Sequence, residues 1–134
     1  MYIAAIIIIV VTAFGFIWFA SGADVDEGIN LLQSYGWQVE RTPVDQAEVI
    51  IPDPFDLVYE NYNKLQIEAG LDLLPYRGMH GRRYTYTVIN YPVDVGEPVL
   101  ANVICIDGKA VAGDIMTVSS NGFMHSLKYD AINK

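Results

Sequence analysis

Two apolar runs joined by Asp107-Gly108 limit the folds open to this chain more than any other feature. "VLANVICI", residues 99–106, is apolar on both faces when extended, as a central strand must be. Asp-Gly marks a two-residue hairpin, because both of its central residues must tolerate positive φ. "KAVAGDIMTV" then returns as the next strand. Upstream, "RRYTYTVINYP" sets Tyr84, Tyr86 and Val88 against Arg83, Thr85 and Thr87, and "PVDVGEP" turns the chain into the first apolar run. Three consecutive strands linked by turns predict an antiparallel meander.

Helical signals lie nearer the N-terminus. Val25, Ile29 and Leu32 recur at helical spacing behind acidic first-turn residues, with Gly36 as a stop, so a short helix is predicted from about Asp24 to Tyr35. Two short extended segments follow, around Trp37 to Val39 and Glu48 to Ile51, separated by Pro43. "PDPFD" opens a longer helix, with Asp53 as N-cap, Pro54 at the first helical position and Gly70 at its end. At about 100° per residue, Phe55, Val58, Tyr59, Tyr62, Gln66 and Ala69 share one arc, which must face the sheet. Tyr84 and Tyr86 are its natural partners there. Gln66 is thereby buried, and is expected to tie the loop Leu71 to Tyr76 to the helix or, alternatively, to touch a ligand.

Residues 2–20, "YIAAIIIIVVTAFGFIWFA", carry no charge and would span roughly 29 Å as a helix, close to a bilayer's hydrocarbon thickness. The run is longer than a signal peptide's apolar core, and no Lys or Arg precedes it. The expectation is therefore a single-pass anchor with residues 24–134 outside the cytoplasm; the alternative is secretion after cleavage near Ala23. The predicted fold class is α+β: an N-terminal membrane helix, then a small domain with two helices packed on an antiparallel sheet that contains a C-terminal three-stranded meander.

All charged side chains lie beyond that run, so the net charge of −8 belongs to the domain. Nucleic acid and anionic headgroups repel such a surface, and no nucleic-acid partner is expected. The lone Cys105 cannot form an internal disulfide, and its apolar strand predicts a buried thiol rather than a nucleophile.

"LLQSYGWQVE", "IPDPFDLVYENYNKLQIEAGLDLLPYRG", "RRYTYTVINYP" and "GKAVAGDIMTVSSNGFMHSL" together resemble the bacterial domain-of-unknown-function 4830 family, over nearly all of residues 29 to 127. Ala112-Gly113-Asp114 stands where that family's pattern has Gly-Gly-Asp. The resemblance implies a membrane segment followed by an exported domain. It implies no activity and supplies no catalytic residue.

Chemistry-bearing residues are few. His80 and His125 lie far apart without paired cysteines, so no zinc set is formed, and "DVDEG" lacks the oxygen spacing of a calcium loop. No metal or other cofactor is expected. Ser119, Ser120 and Ser126 flank His125, but no Gly-x-Ser-x-Gly elbow is present. Arg77, His80, Arg82 and Arg83 form a basic cluster that could cup a carboxylate or phosphate, or could pair with the domain's own acids. Asp114, mid-strand beside Gly113, either holds a loop or faces a ligand. The candidate ligand or anion-binding residues are thus Gln66, Arg77, Arg82, Arg83, Asp114 and His125. The leading expectation is a membrane-tethered binding or accessory domain for an envelope protein or small ligand. The alternative is a cell-surface hydrolase using His125 and Asp114.

Overall fold

The computed structural model describes residues 22–132. Five strands, β1 (Asp45–Ile50), β2 (His80–Thr87), β3 (Leu100–Ile106), β4 (Lys109–Met116) and β5 (Met124–His125), form one antiparallel sheet in chain order. Helix α1 (Gly22–Ser34) precedes β1, and helix α2 (Leu57–Glu68) with a 3-10 turn at Leu74–Tyr76 links β1 to β2. The expected three-stranded meander is β2 to β4, extended by a strand on either side.

The β3–β4 hairpin turns as its sequence requires, with Asp107 at φ 52° and Gly108 at φ 78°. Helix α2 starts later than the sequence reading placed it. Its N-cap is Asp56, whose carboxylate accepts the Tyr59 N–H at 2.8 Å, so Asp53 and Pro54 stand outside the helix. Gly70, at φ 84°, follows the last turn as expected.

The sheet has two unlike faces. On one, α1 packs Ile29 and Leu32 with Trp37, Tyr84, Tyr86, Ala101, Val103, Cys105, Ile115 and Leu127. On the other lie Val49, Ile51, Tyr62, Leu73, Ile104, Ile106, Val111 and Ala112, with Phe55, Val58 and Tyr59 of the α2 region packed against them. Tyr84 and Tyr86 therefore belong to α1 and not to α2. Alternation fixed that they share a face, but it carries no information about which helix covers it. Contact with α1 is close: a Cβ on Gly28 would lie 2.7 Å from the Tyr86 hydroxyl. Cys105 is buried and free, its thiol pushed up to about 12 by burial and by Asp24 and Glu27.

The membrane helix expected over residues 2–20 lies outside the described residues, and among those described no helix is long and apolar enough to cross a membrane. The fold class is corrected to an α+β domain of two helices and a five-stranded antiparallel sheet, with no membrane helix among the described residues. The single-pass location and the membrane partner, read from that run and from the family resemblance, have no membrane-crossing helix to support them among the described residues. Ala23, near which the alternative places cleavage, lies in the first turn of α1, while the apolar run before it is outside the described residues.

Candidate functional site

A buried polar network occupies the sheet face under α2. Asp114 is fully buried; its carboxylate accepts the Tyr62 hydroxyl at 2.5 Å and the Asn102 amide at 3.1 Å. Asn102 also accepts the Thr85 hydroxyl at 2.6 Å and Arg83 Nη1 at 3.3 Å. Arg83, itself buried, donates to Thr85 and pairs with Asp45 at 2.9 Å. Burial pushes the Asp114 carboxyl up to about 6, against the lowering pull of Tyr62, Asn102 and Arg83. The Tyr62 phenol is raised by the same burial and by Asp114. Every carboxylate oxygen of Asp114 is engaged inside the fold.

Gln66 completes this layer. Its Nε2 donates to the Gly113 carbonyl and its Oε1 accepts the Gly113 N–H, both at 2.9 Å. Gly113 pairs with Val103 of β3, while β5 pairs only with Ile115 and Met116. Gln66 therefore takes the place of a strand residue on the outer side of β4. A side chain on Gly113 would meet the Asn102 carbonyl at 2.7 Å, which accounts for the glycine. The loop after α2 is held instead by Asn63, which donates to Asp72 at 2.8 Å and accepts the Leu73 N–H at 2.7 Å. Gln66 is tied to the sheet and not, through its side chain, to the loop.

His125 lies on the opposite face from Asp114. It pairs with Ile115 and stacks on Tyr129, with ring centroids 4.4 Å apart, in a cluster with Trp37, Tyr91 and Phe123. Its Nδ1 lies 2.8 Å from the Ser126 carbonyl, so Nδ1 carries the proton and Nε2 accepts the Tyr91 hydroxyl at 2.9 Å. Burial lowers its pKa, opposed by the Ser126 hydrogen bond and Glu68. The sheet separates His125 from Asp114, which removes the pair on which the hydrolase alternative rested.

The basic cluster is dispersed as well. Arg77 is exposed and donates to the Leu74 carbonyl at 3.0 Å. Arg82 and Arg83, adjacent on β2, point to opposite faces, Arg82 toward Glu48 at 3.8 Å and Arg83 into the buried network. Of the four basic residues, His80 and Arg82 line one open cleft of about 250 Å³, together with Asp24, Glu48, Cys105 and Asp107. Three carboxylates outnumber the single arginine there, so an anion would be repelled. No group of three or more metal-ligating side chains occurs among the described residues.

One wall of this cleft is β1, the edge strand. The Ile51 N–H donates to the Met79 carbonyl at 2.9 Å, and the Val88 N–H to the Val99 carbonyl at 2.9 Å. These two bonds set the alternation: odd-numbered residues of β1 face β2, and Gln46, Glu48 and Ile50 turn their backbone N–H and C=O groups outward. Among the described residues those outward groups have no hydrogen-bond partner. Beside them stand exposed Ile50 (58%) and Val44 (56%), and the Gln46 Oε1 is buried without a partner. The sequence reading missed this edge. Its only signal was a short strand with two acids, Asp45 and Glu48, in a segment closed by Pro52.

The fold and this edge define a small α+β domain whose sheet is open on the β1 side. The chain belongs to the family described as Domain of unknown function (DUF4830), whose model matches residues 31–115. The match ends within β4, short of the likeness to residue 127 read from the sequence. No curated protein and no solved structure matches the chain.

Proposed function

We propose that this domain is a protein-interaction module whose binding face is the β1 edge with its adjoining cleft. The observation that carries this reading is the row of unpartnered outward amide and carbonyl groups at Gln46, Glu48 and Ile50. Such a row is a template for strand addition from another chain. The other conspicuous polar groups are engaged within the fold: Asp114 and Gln66 bind the sheet to α2, Arg83 bonds to Asp45 and Asn102 within the sheet, and His125 is held by Tyr91 and Ser126.

The test is photocrosslinking in cells that express the full chain. A photoreactive phenylalanine analogue replaces Ile50 or, as a control, Lys64 on the exposed side of α2. Adducts are expected from position 50 alone, and are expected to vanish when Glu48→Pro is added. The Glu48 N–H faces away from β2, so proline there removes no bond of the native ladder. Equal adducts from both positions, or adducts indifferent to Glu48→Pro, would overturn the reading.

A further inference from the structure

We propose that the segment taken by β1 is extended and basic, with Lys or Arg opposite Glu48 and an apolar residue opposite Ile50. This rests on the edge-binding reading above and adds the chemistry of the occupant.

Charge is the first argument. The Glu48 side chain is 73% exposed, and the cleft beside it is also lined by Asp24 and Asp107. The whole chain carries −8. Arg82 is the opposing charge in the cleft, and its 3.8 Å contact with solvent-exposed Glu48 is of a kind that contributes little and exchanges readily. A cationic side chain arriving opposite Glu48 meets a favourable field, and an anionic one an unfavourable field.

The same residues argue against a second copy of this chain. Two β1 edges paired antiparallel about Glu48, the centre of the outward row Gln46, Glu48 and Ile50, would set Glu48 opposite Glu48, and like charges directly opposite destabilise a strand pair. Acidic residues on an edge strand are a usual guard against self-pairing. Here the guard rejects acidic edges and leaves basic ones acceptable.

Side-chain alternation supplies the pattern. Gln46, Glu48 and Ile50 lie on one face of β1, opposite Tyr84, Arg82 and His80 of β2. A partner strand therefore presents, on that face and at alternate positions, an apolar residue, a base and a polar residue. Exposed Ile50 gives the apolar position something to cover.

The probe is the peptide acetyl-Lys-Val-Thr-Lys-Thr-Thr-Lys-amide, with a control in which each Lys is Glu, titrated into the 15N-labelled full chain. The basic peptide should shift the Gln46, Glu48 and Ile50 amides and slow their hydrogen exchange, and the acidic control should not. Binding should weaken about tenfold in Glu48→Lys but stay near wild type in Glu60→Lys, which makes the same charge change on α2. It should also weaken toward about 1 M salt, where the screening length falls to roughly 3 Å. Equal binding of the acidic peptide overturns the proposal. So does dimerisation of the peptide-free chain through β1, which would make a second copy the occupant. If no peptide binds while crosslinks through position 50 persist and depend on Glu48, the basic occupant is refuted and the binding face stands. If those crosslinks are absent too, the edge reading itself is refuted.

Discussion

The two faces of the sheet are held by different physics. Beneath α1 the buried core is apolar, built from Ile29, Leu32, Trp37, Tyr84, Tyr86, Val103, Ile115 and Leu127, and its hydrogen bonds to the helix, from the Tyr84 and Tyr86 hydroxyls to Asp24 and the Val25 carbonyl, lie at its partly buried margin. Beneath α2 a row of polar side chains, Arg83, Thr85, Asn102 and Asp114, runs across β2, β3 and β4, and α2 reaches it through Tyr62 and Gln66. Apolar burial is non-directional and tolerates small displacement, whereas a buried hydrogen-bond layer fixes one registration of helix on sheet. The α1 face should therefore supply more of the stability, and the α2 face more of the positional definition.

Four measurements would break or sharpen that contrast. The largest effect is expected from Leu32→Ala, which hollows the α1 face and should cost about 2–5 kcal/mol in denaturant unfolding. A smaller loss would mean that the apolar face is not the main source of stability. Gln66→Leu comes next. It leaves the Gly113 N–H and C=O buried without partners and should cost about 1–3 kcal/mol. An unchanged unfolding midpoint would show that the α2 face is not held by its polar bonds.

The third measurement is pH-dependent. Asp114 titrates near 6 in the fold, above its ordinary 3.8, so the folded state binds this proton more tightly than the unfolded state. Its stabilising contribution is present in full below about pH 4 and is lost as pH rises through about 6. Relative to wild type, Asp114→Asn should gain roughly 1–3 kcal/mol over that rise, because it cannot ionise. A stability difference flat with pH would place the titration elsewhere. The smallest effect belongs to neither face. Asp26→Asn removes an exposed 3.2 Å pair with Arg41 and should change stability by less than about 0.5 kcal/mol.

Legibility in the sequence followed the range of the interactions. The Asp107-Gly108 hairpin, the amphipathic arc of α2 and the burial of Cys105 and Gln66 depend on neighbours in the chain, and all were readable. The partner of Gln66 was not. Gly113 needs a side chain on its outer edge only because β5 stops after two residues, a fact of tertiary arrangement. Arg83 and Arg82 look alike in sequence, yet strand alternation sends one into the buried layer and the other to the cleft. Asp114 and His125 were paired in the hydrolase alternative, yet the sheet stands between them. The open edge of β1 escaped notice because an unpaired amide leaves no mark in the residue types that carry it.

The Gln66 clamp on Gly113 has a consequence for assembly. Endless head-to-tail stacking of sheets needs two open edges per molecule, one to give and one to receive. Along β4 the short β5 covers Ile115 and Met116, and the Gln66 amide covers Gly113, so an incoming strand would first have to evict a helix side chain. Among the described residues, the β1 side offers the long open row, and the two-residue β5 offers little on the other side. Growth by edge addition is thus a chain reaction whose propagation step is hindered along β4, where the Gln66 amide and β5 already hold the outer groups.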